Sequence, residues 1–591
     1  MSIRFVLIFL ACLFVPLITI GQSLSSTRVT DWTLAGLSEN RIDPPLILDF
    51  LEEGGSNDGM TPNDSIFQKV LTQYASTPFL LQFPIGTYLF RQAIDLPDNI
   101  ILRGSGADST LLLFDLEDPA HLIQIRGQVG MDTVYLKQTA HKDEKYLQVQ
   151  GSHPLQAGEY INLFEADDSL ITSSWAQYST GQLVRIREIE ADTLWLDQPL
   201  RRDFSIRHAA RVVSFHPRTQ VGIEQLGIQR LDQTTSQTSN ILFEYAANSW
   251  LSCIRSERCN FAHAEIKHST QIEISGSHFE KAFSYGGGGK AYGVMLHFAS
   301  GNCLIRDNSF RSLRHAMILQ AGANGNVLAY NYSTNPYWTG VSLPANSAGD
   351  LVLHGNYPYA NLLEGNVVQN IVIDNSHGIN GPHNTFYRNR AELYGLFMNS
   401  DPASNGQNFL GNEIPNPQFL FGNYVLAGSD HLEIANNVRG VLTPANQEVL
   451  PENSLFVNQA PNLFDGQLNI PLIGHPNLLN THTIQAQDRF DANHSTACDV
   501  PDPVLASHAQ SDLEDINAQL YPNPAKNRIE IEIKESPTVR LDHVEVLGID
   551  GSLLLSSKGS LLDIGHLPTG MYLVKITIQD GRFWTEKLLK E

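Results

Sequence analysis

The chain has 591 residues, about four times the ~150 usual for one domain, so two or three domains or one long repetitive domain are expected. Hydrophobic residues at 42% can fill a sizeable core, while charged residues at 17% fall below the ~25% of ordinary globular chains, which excludes extensive disorder, coiled coil and helical bundle. With 39 basic against 62 acidic residues the net charge is −23, so nucleic acid is excluded as a partner, and an acidic polymer would need a local basic groove or a bridging cation.

Residues 1–21 read as a secretory signal peptide: Arg4, an apolar run over 5–20 that contains Cys12, then Gly21. No later segment is apolar enough to span a bilayer, so an exported chain with no membrane span is expected. The stretch 62–74 predicts an amphipathic helix capped by Asp64 or Ser65. A strand segment at 80–89 follows, with Phe83-Pro84-Ile85-Gly86-Thr87-Tyr88, then 94–107 with Leu96-Pro97 and Leu102-Arg103-Gly104, and Ser109-Thr110-Leu111-Leu112. Together these resemble the N-terminal motifs of the pectate-lyase-like right-handed β-helix superfamily: a helix, an FPxGTY strand, an LPxNxxLRGxG rung and an STxL step. The usual Gly-Asp-Gly that precedes them is altered to Ser56-Asn57-Asp58-Gly59. The resemblance covers 57–114 and implies a parallel β-helix acting on or binding polysaccharide. Residues 22–130 are therefore expected to form the cap and first rungs.

Residues 131–215 break the rung pattern with alternating segments at 158–164, 182–186 and 193–196, which predicts a small antiparallel β insertion. The main helix is expected over 216–497. Asn308, Asn331, Asn366, Asn389, Asn412 and Asn437 recur with steps of 23, 35, 23, 23 and 25 residues, the length of one turn of a three-faced solenoid. An Asn at each corner tolerates left-handed backbone and passes amide hydrogen bonds up a ladder. The long step carries an extra side loop at 337–349. Cys253, Cys259, Cys303 and Cys498 allow three disulfide pairings, which the sequence leaves open.

Registering the rungs on their Asn corners aligns Lys267, His297, Gln320, His354, Asp374 and Asn399 as a polar column on one face. A polymer lying along the solenoid would meet one such residue every ~5 Å, the strand spacing. Arg314, His315, Tyr357, Tyr359, Arg388, Arg390 and Trp338 are placed nearby. A polysaccharide lyase needs a base beside a neutralised uronate carboxylate. His354 or His297 fits the base, Arg388 or Arg390 the neutraliser and Tyr357 the proton donor, with Asp374 beside them. Lys267, Gln320, Arg314, His315, Trp338, Tyr359 and Asn399 are expected to bind substrate. The metal is left unknown, with Ca²⁺ possible between Asp374 and Glu364. The NTD, DD, GHG and RIK motifs of polygalacturonases do not occur in order, nor do the Arg-Xaa-Pro-Xaa-Xaa-Arg and Asp clusters of calcium-dependent pectate lyases. Lyase chemistry is favoured over a two-carboxylate hydrolase, and a non-catalytic glycan-binding or adhesin-type β-helix is the reading from a different class.

Residues 498–518 read as a linker, rich in Asp and Pro at 499–503 and acidic again at 511–515. Residues 519–591 predict a small β-sandwich. Tyr521-Pro522-Asn523-Pro524, the Asp550-Gly551 turn, Leu567-Pro568-Thr569-Gly570-Met571-Tyr572 and a basic final strand resemble the sorting domain of the type IX secretion system. That resemblance implies partnership with the secretion machinery and a secreted or cell-surface location. A monomer is expected. The fold class is thus all-β: a right-handed parallel β-helix, a small antiparallel insertion and a C-terminal sandwich.

Overall fold

The computed structural model describes residues 23–116, 118–340, 344–445, 450–457, 473–474, 482–499, 518–533, 541–547, 553–578 and 583–591. The expected signal peptide, most of the linker and the Asp550-Gly551 turn lie outside the described residues. The chain forms two compact units, Met1–Val500 and Pro501–Glu591.

The first unit is a right-handed parallel β-helix. One face stacks Ala246–Ser252, Thr270–Ser275, Leu304–Arg306, Val327–Ala329, Leu362–Glu364, Thr385–Tyr387 and Asn408–Leu410, each parallel to the next. The face that carries the polar column stacks Ile241–Glu244, Ala262–Lys267, Tyr292–His297, His315–Leu319, Leu351–Leu353 and the later part of Val367–Ile373. The remaining face carries Arg255–Cys259, His278–Ala282, Ser309–Arg311 and Tyr332–Thr334. Alternate side chains of each short strand point inward, so like residues meet between rungs. Phe279 stacks on Phe310 with centroids 5.3 Å apart, and Phe386 on Phe409 at 5.2 Å. Full burial of each such ring stabilises the stack by about 1.5–3 kcal/mol.

The Asn corner is a hydrogen-bonded ladder. The backbone N–H and the Nδ2 of Asn331 both donate to Asn366 Oδ1, at 3.1 and 2.9 Å, and Asn366 donates in the same way to Asn389 at 3.0 and 2.9 Å. The second Nδ2 hydrogen goes to a carbonyl of the preceding rung, Ile305 for Asn331 and Leu328 for Asn366. Two expectations are corrected. The ladder ends on Asn436, to which Asn412 donates, rather than on Asn437. The left-handed residue is the one before each Asn: Asp307, Tyr330, Gly365, Arg388, Gly411 and Ala435 all have positive φ. The corner needs one αL residue to turn the chain and an extended amide to climb it, and these are different positions. A second ladder, Asn326 to Asn361 to Asn384 to Gln407, lines a neighbouring corner.

The cap helix spans Asp64–Gln73, and its N-cap is Asn63 rather than Asp64 or Ser65. The Asp64 carboxylate instead accepts the backbone N–H groups of Arg91 and Gln92. The insertion is a six-stranded antiparallel sheet running from Gln128–Tyr135 to Arg211–His216. It leaves after Ile123–Arg126, and the solenoid closes beneath it by pairing Ile123 with Ile241. Its anchor is Arg201, buried, which donates to Asn324 Oδ1 at 2.7 Å and to Gln198 Oε1 at 3.1 Å. A disulfide joins Cys253 to Cys498, and Cys259 and Cys303 are buried free thiols.

The second unit packs a three-stranded sheet, Ala518–Tyr521, Arg528–Ile533 and Leu561–Asp563, with a four-stranded sheet that ends in Phe583–Lys590, around Ile529, Val544, Val574 and Ile576. Among the described residues no helix is long and apolar enough to cross a membrane.

Candidate functional site

Register places the polar column on successive rungs. Lys267 pairs with His297, and the backbone N–H groups of Gln320, His354, Asp374 and Asn399 each donate to the strand below. A polymer lying along the solenoid requires this column to face solvent. Instead His297, Gln320 and His354 are only 4%, 6% and 5% exposed. The covers come from outside the rungs. Trp175, on a loop of the insertion, packs edge-on against Phe298 and His377, with centroids 5.9 and 5.5 Å away. The Thr172 and Ser173 N–H groups tie this loop to Asn356 Oδ1. On the other side, the glycine run Gly286–Gly289 is held by Arg314, which donates to the Gly286 carbonyl, and by Gln237, which donates to that of Gly288. A cavity of about 690 Å³ remains between these covers and the column.

Two imidazole–carboxylate pairs stand at it, with His354, His297 and Glu265 in the lining and Asp374 bonded to His354. His354 Nδ1 lies 2.6 Å from Asp374 Oδ2, while Asp374 Oδ1 accepts from the Ser376 N–H at 2.6 Å and from its Oγ at 2.5 Å. Burial alone would raise the Asp374 carboxyl, but the His354 bond and charge and the two Ser376 bonds hold it well below the usual carboxylate range. An ionised Asp374 accepts only, so Nδ1 of His354 carries the hydrogen and Nε2 is the free nitrogen. In the second pair His297 Nε2 lies 3.1 Å from Glu265 Oε1, and Ser239 Oγ donates to Glu265 Oε2 at 2.6 Å. Burial pushes Glu265 up, but the His297 bond and charge and the Ser239 bond outweigh it and hold the carboxyl at about 2. His297 Nδ1 is enclosed and has no partner among the described residues. His121 and His377 also border the cavity, and burial lowers both below the usual imidazole value. The permanent charges in the lining are one carboxylate, Glu265, against two cations, Lys267 and Arg314. Lys267 is paired with Glu244 at 2.9 Å; Arg314 has no carboxylate within ion-pair distance among the described residues.

Other expected site residues lie elsewhere. Arg388 donates to the Gly474, Leu450 and Glu452 carbonyls, and Arg390 binds Glu413 at 2.7 Å and the His482 carbonyl. Both guanidiniums are buried under the C-terminal segments, beyond the Asn ladder, and neither borders the cavity. Glu364 sits on the first face with Tyr330 and the Leu455 N–H, so it shares no cation with Asp374. Tyr359 is 2% exposed and donates to the Gly181 carbonyl; Tyr357 packs beside it against Ile171 and Ala176 of the insertion. These two rings fasten the insertion rather than meet a ligand. His315 is buried with Nδ1 on the Gly349 carbonyl, its ring 5.6 Å from His354. Trp338 stands behind Arg314, ring to guanidinium 5.7 Å, and Asn399 donates to Asn375 one rung past the cavity. Among the described residues no three His, Cys, Asp or Glu side chains gather as a metal cage.

Sequence reasoning missed Glu265, Trp175 and His121. Glu265 was legible: it lies two residues before Lys267 on an alternating strand and so shares its outward face. Trp175 and His121 reach the cavity through the insertion and through an earlier rung, which no periodicity signals.

Residues 519–591 match the family described as Secretion system C-terminal sorting domain. No curated protein matches the chain. Among solved structures it is similar to the tailspike protein gp49 from Pseudomonas phage LKA1, at 12% identity and a TM-score of 0.48 over 62% of this chain and 64% of that one. It is also similar to the Gp54 tailspike of Acinetobacter baumannii bacteriophage AP22, at 10% identity and 0.44 over 66% and 70%. That structure is a complex with A. baumannii capsular saccharide. A hyperthermoactive exopolygalacturonase from Thermotoga maritima aligns at 10% identity and 0.31 over 67% and 78%. The chain spans just under two thirds of the length of the first of these, and the likeness is one of fold. The sorting domain makes this a secreted or cell-surface protein handled by the type IX secretion system.

Proposed function

We propose that this β-helix is a polysaccharide lyase that cleaves a uronate-containing glycan by β-elimination. The observation that carries the reading is the His354–Asp374 pair, its free Nε2 opening on a cavity lined by Lys267 and Arg314. Asp374 fixes the imidazole tautomer, so Nε2 is placed to take the proton at C5 of a uronate. The two cations answer the objection raised by a net charge of −23. A polyanion is screened from distant charges beyond ~8–10 Å and meets the Arg314 guanidinium and the Lys267 ammonium in the lining. Arg388 and Arg390 have no part in this, and Lys267 and Arg314 take the neutralising role. Two-carboxylate hydrolysis is disfavoured because an inverting or retaining pair needs one protonated acid, whereas Glu265 and Asp374 are both held ionised by their imidazoles.

The test is incubation of the full chain with pectin, alginate and neutral glycans, followed by ultraviolet absorbance of the unsaturated uronate and by reducing ends. A lyase raises both on an acidic polymer. Reducing ends without new absorbance identify a hydrolase, and binding without either product identifies a glycan-binding protein.

A further inference from the structure

The wall that the antiparallel insertion raises beside the cavity carries an aromatic ring that neither imidazole–carboxylate pair accounts for. Trp175 borders the cavity and is 46% exposed, although its indole is one of the largest apolar surfaces a side chain offers. The loop that holds it is fixed on both sides. Before the indole, the Thr172 and Ser173 N–H groups donate to Asn356 Oδ1, and Ser173 Oγ meets His377 Nδ1 at 3.1 Å. After it, the buried Asp167 carboxylate accepts the Tyr178 N–H at 2.8 Å and the Thr180 N–H and Oγ1 at 3.1 Å each. Ile171 and Ala176 bury against Ala321, so the residue next to the indole is an anchor while the indole itself stays out. His377 lies between the indole and the proposed base, 5.5 Å from Trp175 and 5.0 Å from His354, ring to ring. Apolar surface held open this close to a cavity is surface that a ligand can cover. The rest of the lining supplies polar groups, among them Lys267, Gln320, Arg314 and His354. One flat apolar ring among polar groups matches a pyranose, which carries C–H groups on its face and hydroxyls at its rim.

We infer that Trp175 is a stacking platform for one pyranose ring of the glycan, so that the insertion supplies part of the substrate-binding surface and the solenoid the reacting groups. The assignment rests on a glycan occupying this cavity, the part of the lyase reading that it shares. Because the loop is already fixed and an indole has only two rotatable side-chain bonds, little freedom is lost when a sugar settles on the ring. Stacking is indifferent to bond breaking. The apolar face of a sugar away from the cleaved bond is the same in ground state and transition state, so the platform lowers KM and leaves kcat alone. It also divides the work of recognition. Lys267 and Arg314 attract any polyanion, whereas the indole selects one built of rings. A flexible acidic chain without sugar rings meets the same two cations and has no flat C–H face to lay on Trp175.

The experiment measures calorimetric binding of oligogalacturonate, alginate oligosaccharides and polyglutamate to full-length chains carrying His354→Gln, which keeps the sugars uncleaved, alone or with Trp175→Phe or Trp175→Leu. Turnover of the two Trp175 variants without His354→Gln gives KM and kcat. Trp175→Leu, apolar but not flat, should weaken sugar binding and raise KM by roughly tenfold or more. Trp175→Phe, which keeps a flat ring, should stay within about threefold, and kcat within about threefold in both variants. Polyglutamate should bind all of these chains alike. Saturating sugar should shift the indole emission of the unaltered chain to the blue, and Trp175→Phe should bind without that shift, a signal that a role confined to holding the loop does not move. Three results each overturn the platform and leave the lyase reading in place: Trp175→Leu binding sugar as the unaltered chain does, kcat falling at constant KM, or the emission shift persisting in Trp175→Phe. Sugar binding that depends on Trp175 without any unsaturated product overturns the lyase reading and supports the platform. An unaltered chain that binds none of the sugars overturns both. If Trp175→Leu does not fold, the emission of Trp175→Phe against that of the unaltered chain decides.

Discussion

Two polar columns climb the same solenoid, and they differ in what is left over. In the Asn ladder every side-chain atom is spent: Asn366 accepts twice from Asn331, donates to Asn389 and returns its last hydrogen to the Leu328 carbonyl. In the column of the cavity, a few turns of chain away, His297 Nδ1 is enclosed yet unsatisfied, the Gln320 side chain borders the cavity with no hydrogen bond among the described residues, and two imidazoles are oriented by carboxylates. Both columns repeat at the rung period and both are buried, so periodicity and burial do not separate a structural stack from a site. Unspent hydrogen-bonding capacity does. A ladder closes on itself and gains stability; a site keeps atoms open at a cost that a ligand removes.

The widest separation between the columns should come from one truncation in each. His354→Ala is expected to lower elimination by roughly 10²–10⁴-fold, while costing at most about 1–3 kcal/mol of stability, because Asp374 keeps both Ser376 bonds. Asn366→Ala should do the reverse. It leaves the backbone and side-chain N–H donors of Asn331 without their acceptor and removes one bond each from Asn389 Oδ1 and the Leu328 carbonyl in a dry corner, for a loss of about 3–5 kcal/mol. Turnover measured beside urea denaturation reads both. If Asn366→Ala leaves the urea midpoint unchanged, or His354→Ala removes stability and no activity, the distinction drawn between the columns is wrong.

Much of this was legible from the chain alone, and the reasons are specific. A solenoid repeats one local solution, so the spacing of Asn308, Asn331, Asn366, Asn389 and Asn412 carried both the fold and the register that aligns Lys267 through Asn399. Repetition ended at the last rung, where Asn436 and Asn437 are adjacent and only hydrogen-bond geometry chooses between them. The covering of the column was not legible, because Trp175 arrives from an insertion and the Gly286–Gly289 run has no side chains to read. Arg388 and Arg390 misled for a related reason. They are close in sequence to the column, but each rung turns corners, and two residues near an Asn lie on another face from the strand end that carries Asp374.

The same contrast extends to buried carboxyls and fixes a smaller effect, the shape of stability against pH. Asp350 and Glu364 are buried, with no cation in ion-pair contact among the described residues. Desolvation pushes them up to about 7 and about 6, against hydrogen bonds from Ser333 and the Gln369 N–H for the first, and from Ser454 and Tyr330 for the second. A carboxyl whose folded value is raised adds stability below its unfolded value and loses it as pH climbs through the folded one. Native stability should therefore decline between about pH 4 and 7, and Asp350→Asn should flatten that decline. Glu265 and Asp374 work oppositely. Their depressed values supply stability that is present above about pH 4 and lost on acidification through about 2 and below. Denaturant midpoints taken across this range check both slopes, and a midpoint that rises steadily from pH 4 to 7 contradicts the first.

The smallest expected effect is the sharpest test of the idea that the column holds unspent capacity. Gln320 borders the cavity, and its carboxamide bonds nothing within the described protein, so no other group depends on it in the free chain. Gln320→Leu keeps the volume and removes the amide. The unfolding free energy should stay within about 1 kcal/mol of the unaltered chain, or rise, because no partner is left stranded when the amide goes. The equivalent change in the ladder, Asn366→Leu, removes the acceptor of both Asn331 donors and should be clearly destabilising. Substrate should feel the opposite ranking. Without the carboxamide a bound glycan loses one hydrogen-bonding group of the lining, so kcat/KM falls by up to roughly 10-fold. A Gln320→Leu chain that unfolds as readily as Asn366→Leu would show that the amide is tied into the fold after all, and the column would then be a second ladder.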